Sequence, residues 1–143
     1  MSAPSRPRRL VRVILAGLAG FTLVGALVGM AGLTVGGGMG LPPEWIEGSV
    51  FSSYVVPGVI LGVVVGGSQA LALVAQFRRL RLAWGLHAAA GLVLMVWIFV
   101  EIAIMLEWAP LHGIFFAAGF AQTVVAVLAL GAWPSPFFVR ERA

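Results

Sequence analysis

The chain has 143 residues, of which 61% are hydrophobic and 10% charged, and its formal net charge is +4. A soluble domain is typically about 45–50% apolar and about 25% charged, so this chain has too few polar groups to cover its surface in water. The absence of cysteine excludes disulfides, thiol chemistry and thiolate metal sites. Composition, with a mean hydropathy of +1.06, therefore indicates a membrane protein.

Four long apolar stretches follow one another, and a helix that crosses a bilayer needs about 20 such residues. The predicted spans are residues 10–33, 54–76, 82–106 and 111–133, between a basic tail at 1–9 and a second tail at 134–143. Residues 36–53 form the longest connection, with a short helical turn expected after Pro43. A basic start before an apolar run is also typical of a signal peptide, but the first run exceeds that apolar core of about 7–15 residues.

Helices are the expected spanning structure. The apolar runs are continuous and much longer than the alternating strands of about 10 residues that build a transmembrane barrel. Short connections make sequential helices antiparallel neighbours. The predicted fold is therefore all-α, an antiparallel bundle of four transmembrane helices.

Charge is distributed unevenly between the two sides of this predicted bundle. All nine basic residues are arginines, near the N-terminus, between the second and third spans, or near the C-terminus. The other two connections carry glutamates and no arginine. Because positive charge is retained on the cytoplasmic side, both termini are expected in the cytoplasm of a bacterial cell. The lack of lysine and asparagine, which have AT-rich codons, favours a high-GC source.

Small residues recur at four-residue spacing in the first two spans. These are Gly25 and Gly29 in the first span and Gly58, Gly62 and Gly66 in the second. Glycines at this spacing lie on one helix face and allow close helix packing. Two interpretations stay open: packing within the chain, or contact with a second copy or another membrane protein.

Glu101 is the only acidic residue within a predicted span, about five residues before its end. An ionisable group at such depth is costly and indicates a functional site by default. No arginine of this lysine-free chain reaches the same level, so Glu101 is expected to be protonated, open to water or paired with a bound group. A role in moving protons or cations and a structural role both stay open.

Other polar residues in the spans are few. Ser68, Gln69 and Gln122 are expected near the middle of the bundle, where they hydrogen-bond between helices or line a polar path. His87 and His112 lie near opposite ends of the bundle and cannot share a metal ion. His112 is expected to approach the glutamates of the two acidic connections. No nucleophile–base–acid set or phosphate-binding loop is apparent, so neither an enzyme nor a cofactor or metal is expected.

Several of these residues together resemble a known group of proteins. They are Phe51, Tyr54, Pro57-Gly58, Val65-Gly66-Gly67, Trp97, Glu101, Phe116 and Gly119. Over residues 15–132 the chain is similar to small four-span membrane proteins of high-GC, actinobacterial-type bacteria, a group without an assigned activity. A looser similarity is to DoxX-type four-helix membrane proteins. The resemblance implies the fold and no activity.

The leading functional hypothesis is a small non-enzymatic membrane protein that associates with itself or with a larger membrane complex. It follows from the glycine faces, the short loops and the missing catalytic sets. The first alternative is a small transporter or proton-linked carrier that uses Glu101. The second is a membrane redox accessory of DoxX type. Nucleic acid is not an expected partner, because the arginines flank spans and set topology.

Overall fold

The computed structural model describes residues 6–131, and this part of the chain forms a bundle of four long helices. They are α1 (Arg6–Thr34), α2 (Val55–Phe77), α3 (Ala83–Met105) and α4 (Pro110–Ala129). The predicted all-α four-helix fold is confirmed. Helix α1 begins at Arg6, inside the segment assigned to the first tail. The predicted end of the fourth span at 133 and the tail at 134–143 lie outside the described residues.

The distribution of side chains is opposite to that of a water-soluble bundle. Only 22% to 39% of the most apolar window of each helix is buried, although these windows have mean hydropathies of 1.8 to 2.4. Large apolar residues such as Phe21, Phe99 and Phe120 are exposed, while Gln69 and Gln122 are fully buried. Exposing this apolar surface to water would cost free energy, whereas the hydrocarbon of a bilayer solvates it. Each helix is therefore a candidate membrane span.

The two ends of the bundle differ in charge and in how the helices are connected. We call the end with the start of α1 and the α2–α3 turn the basic end, because that turn carries Arg78, Arg79 and Arg81. Arg79 adopts a left-handed conformation with φ 55°, and the Leu80 N–H donates to the Ala75 carbonyl at 2.9 Å. The left-handed residue thus ends α2, gives a free carbonyl of its last turn a hydrogen-bond donor and keeps the turn to α3 short.

We call the opposite end the acidic end, because its two connections carry the exposed residues Glu44, Glu47 and Glu107. The longer connection contains the predicted helical turn, Pro43–Ile46. Ile46 and Tyr54 pack with Leu33 in a small apolar cluster, and the Tyr54 hydroxyl donates to the Pro42 carbonyl at 2.6 Å. The connection is thereby folded over the end of the bundle.

The five glycines of the predicted packing faces lie against other helices of the same chain. A β-carbon on Gly25, Gly29, Gly58, Gly62 or Gly66 would meet Phe115, Leu61, Leu33, Met30 or Ala26, respectively. Gly25 faces α4, whereas the other four lie where α1 and α2 pack against each other, and we call this contact the α1–α2 seam. Within it, α2 contains a π-helical segment, Leu61–Gly66, that the sequence did not predict. Its buried glycines allow the wider backbone to approach α1 closely.

A second close approach, between α3 and α4, was missed by the sequence analysis. A β-carbon on Gly91 would lie 2.6 Å from the carbonyl oxygen of Gly119, and one on Gly119 would lie 2.9 Å from the carbonyl oxygen of Gly91. Backbone therefore faces backbone at this crossing. Each of these helices has two glycines that lie six residues apart, which is not the four-residue spacing of a packing face, so spacing alone did not reveal the contact.

We predict that Gly91→Ala destabilises the bundle, because its methyl group would meet rigid backbone and separate α3 from α4. Overpacking of this kind costs about 1–3 kcal/mol. The matched control is Gly85→Ala in the same helix, where nothing lies within 4 Å of a β-carbon. This control is expected to be neutral or slightly stabilising, because alanine favours a helix over glycine. The measurement is thermal melting in detergent, and equal melting temperatures would contradict the crossing.

Candidate functional site

Three polar side chains from three helices meet in the core of the bundle, toward its basic end. We call Gln69 (α2), His87 (α3) and Gln122 (α4) the amide–imidazole cluster, and each is 0% exposed. Gln122 Nε2 donates to Gln69 Oε1 at 2.8 Å and lies 3.2 Å from His87 Nδ1. Gln69 Nε2 donates to the Ala90 carbonyl at 3.3 Å. The cluster thus connects α2, α3 and α4.

The hydrogen bonds of the cluster assign the histidine tautomer. Because Gln122 Nε2 can only donate, His87 Nδ1 accepts, and the neutral ring carries its proton on Nε2. His87 Nε2 and Gln122 Oε1 have no hydrogen-bond partner among the described residues. A buried polar group without a partner costs about 1–3 kcal/mol. The cluster is therefore specific in geometry but incompletely satisfied.

Two of the three polar residues that the sequence placed near the middle of the bundle belong to this cluster. Gln69 and Gln122 are joined to each other, but Ser68 is not, because its hydroxyl donates to the Val65 carbonyl of its own helix at 2.8 Å. His87 lies four residues after the start of α3, near one end of the bundle as expected, but its contact with Gln122 was not predicted. The sequence does carry a signal: Ala83, His87, Ala90, Leu94, Trp97 and Glu101 recur at alternating spacings of four and three residues. Such a repeat marks one helix face.

A second polar contact lies on this face of α3 near the acidic end. Glu101 Oε2 is 3.7 Å from His112 Nε2, and the two side chains are 25% and 11% exposed. His112 is held by its other ring nitrogen, because Nδ1 accepts the Ala109 N–H at 2.9 Å. This bond at the start of α4 directs Nε2 toward the carboxyl group. We call these two residues the Glu101–His112 pair.

This pair corrects two predictions from the sequence. Glu101 was expected to lack a basic neighbour in the chain, and His112 was expected to approach glutamates of the connections. The basic neighbour is a histidine, and arginine and lysine are absent at this level of the described bundle. The relative rotation of α3 and α4 brings the two residues together, which spacing along one helix cannot reveal.

Glu101 also lines a small cavity at the acidic end. Tyr54, Pro57 and Trp97 line it as well, and the rest of its wall is apolar. The cavity measures about 20 Å³, enough for roughly one water molecule. Trp97 Nε1 is buried and has no hydrogen-bond partner among the described residues.

The comparisons with known proteins identify no relative. No protein-family model matches the chain, and neither a curated protein nor a solved structure is similar to it. The similarity to four-span and DoxX-type proteins therefore stays a resemblance. Fold, composition and the buried polar residues define the class of this chain, which is a multi-pass membrane protein with four candidate spans in contact with lipid.

Within residues 6–131, no group of three or more histidine, cysteine, aspartate or glutamate side chains is arranged to hold a metal ion. The Glu101–His112 pair supplies two such side chains and the amide–imidazole cluster one.

We predict that Gln122→Leu destabilises the bundle by about 1–3 kcal/mol, because Gln69 Oε1 and His87 Nδ1 lose their shared donor. Gln69→Leu combined with Gln122→Leu should cost less than the sum of the single changes, with a coupling of about 0.5 kcal/mol or more. Ser68→Ala is the control, since its hydroxyl bonds within its own helix. The free energy of unfolding of the four variants and of wild type is measured by reversible unfolding in mixed micelles. Strict additivity would show that the cluster does not form.

Proposed function

We propose that this chain is a non-enzymatic protein of the bacterial cell membrane that works by associating with another membrane protein. The partner is a second copy of the chain or a subunit of a larger complex. The proposal of a non-enzymatic role rests on the sequence, which offers no nucleophile–base–acid set. The observation that carries the proposal of association is the partial exposure of the Glu101–His112 pair.

This pair is difficult to solvate in lipid. Glu101 lies four residues before the end of α3 at Met105, so about 6 Å inside the span. Val100, the residue before it, is exposed and apolar, which indicates that lipid borders one flank of the pair. A carboxyl group at this level lacks hydrogen-bond partners in hydrocarbon, whereas polar groups of a second membrane protein would supply them. The glycine faces are occupied within the chain, so association through this flank is the better supported route.

We further propose that both termini face the cytoplasm. Support comes from the arginines, all of which flank spans on one side of the predicted topology. Reporter domains fused to either terminus are expected to be active only when they function in the cytoplasm. A periplasmic signal from either fusion would contradict this orientation.

The association is testable with the full chain in a mild detergent. Wild type is expected to elute above the 15.0 kDa of a single chain after subtraction of the detergent, or together with a partner protein. Glu101→Leu should weaken the association, because it removes the polar group on the flank, and Glu101→Gln should retain most of it. Val100→Leu is the matched control on the neighbouring exposed position. Light scattering and cross-linking in native membranes provide the measurement. A lone wild-type monomer in both would contradict the proposal.

A second candidate function is a small proton-linked carrier. Two observations favour it: Glu101 touches a second titratable side chain at 3.7 Å, and it lines a cavity with room for about one water molecule. Such a pair can exchange a proton with water at the acidic end. Against a carrier of larger substrates, the core of the bundle is filled by the amide–imidazole cluster.

Proton movement is separable from association. In liposomes that enclose a pH-sensitive dye, the carrier hypothesis predicts proton flux through wild type and a loss of flux in Glu101→Gln with unchanged oligomeric state. Glu107→Gln, in the exposed connection, is the control and should keep wild-type flux. Absence of flux above empty liposomes in wild type would exclude this candidate.

A further inference from the structure

A pocket lies at the basic end, far from the Glu101–His112 pair. It measures about 430 Å³, within the range of about 300–1,000 Å³ that is typical of small-ligand sites. Its lining comes from the start of α1, the start of α3 and the end of α4, and consists of Arg8, Val11, Arg12, Trp84, Leu128 and Ala129. Because these segments are helix ends, the pocket lies at the level where a span meets the lipid headgroups.

Two arginines one helical turn apart supply its charge. Arg12 is partly buried, and its guanidinium carbon lies 5.9 Å above the centre of the Trp84 ring. The backbone of Arg12 is also fixed, because its carbonyl accepts Gln76 Nε2 at 3.0 Å. A guanidinium held against an indole ring is fixed in position and keeps N–H donors for an anion. Arg8 is exposed beside it at the mouth of the pocket.

No carboxylate among the described residues pairs with either arginine. The four glutamates within residues 6–131 lie in the connections at the acidic end or, for Glu101, in the last turns of α3. The other charged side chains described at the basic end are those of Arg9 and of the arginines in the α2–α3 turn, and all of them are positive. The pocket thus has a positive potential that favours a negatively charged ligand.

The rest of the lining is apolar. Val11, Leu128 and Ala129 form a wall beside the arginines, and the indole of Trp84 is amphipathic. A free phosphate ion would leave this wall exposed to water. A phospholipid would place its phosphate against the guanidinium groups and its glycerol and upper acyl carbons against the wall.

From this combination we infer that the pocket binds the headgroup of an anionic phospholipid. Arg12 and Arg8 hold the phosphate, Trp84 positions Arg12, and the end of α4 contacts the glycerol region. Basic pockets between transmembrane helices bind anionic lipid headgroups in this manner. The site is independent of the Glu101–His112 pair and of any association through it.

The test uses the full chain in a neutral detergent at physiological salt, where a Debye length of about 8 Å screens distant charges. Native mass spectrometry titrates phosphatidylglycerol, with phosphatidylcholine as the zwitterionic comparison. Arg12→Gln is expected to weaken phosphatidylglycerol binding about tenfold, because a charge-assisted contact to phosphate is lost. Arg8→Gln should weaken it severalfold. Arg81→Gln, which removes the same charge from the α2–α3 turn, should change it less than twofold.

Two further arms make the result decisive. Thermal melting without added lipid identifies any variant that fails to fold. If Arg12→Gln does not fold, Arg8→Gln still tests the pocket, because Arg8 is exposed and its replacement should not disturb the bundle. Competition with inorganic phosphate and with glycerol phosphate identifies the source of the ligand, and millimolar concentrations of either should leave the bound lipid in place. Displacement by either compound would overturn a lipid as the ligand. Equal losses in Arg12→Gln and Arg81→Gln, or equal binding of the two lipids, would overturn the pocket as the site.

Discussion

Hydrocarbon supplies no hydrogen bonds, and the rest of this structure depends on that constraint. Four helices satisfy their own backbones, so only side chains and helix ends need partners. The fully buried side chains of Gln69, His87 and Gln122 find part of theirs in one another and in the Ala90 carbonyl, and His87 Nε2 and Gln122 Oε1 have none among the described residues. Each of these bonds is sensitive to the position of a helix, because a buried polar group that loses its partner in an interior of low dielectric costs free energy. The cluster therefore selects one arrangement of α2, α3 and α4.

Packing complements this selection. In lipid, apolar burial drives helix association only weakly, and dispersion contacts between closely approaching backbones become more important. The bundle has two such contacts, the α1–α2 seam around Gly62 and the α3–α4 crossing at Gly91 and Gly119. The stacked rings of Phe21 and Phe115, with centroids 5.1 Å apart, connect α1 to α4. Because these surfaces are used within one chain, a partner would have to contact a different surface.

The two ends of the molecule offer different chemistry. At the acidic end, an imidazole and a carboxyl group lie together on a flank that is otherwise apolar, beside a cavity for about one water molecule. At the basic end, a partly buried arginine lies over an indole ring at the rim of a larger pocket. The first arrangement suits a polar contact or proton exchange, and the second suits a fixed anion. The buried amide–imidazole cluster lies between them, and the two ends are regarded as separate sites.

The sequence by itself determined the number of helices, the approximate position of each and their hydrocarbon surroundings, because a run of about 20 apolar residues is a local property. It also identified Gln69, Gln122 and Glu101 as the unusual polar residues and Gly62 as a packing position. Only the tertiary structure decided that Gln122 meets His87, that Glu101 meets His112 and that Gly91 meets Gly119. Such pairings depend on the rotation and relative depth of each helix. A change of one residue turns a side chain by about 100°, from the core toward lipid, and the apolar pattern of a span surrounded by lipid constrains that rotation only weakly.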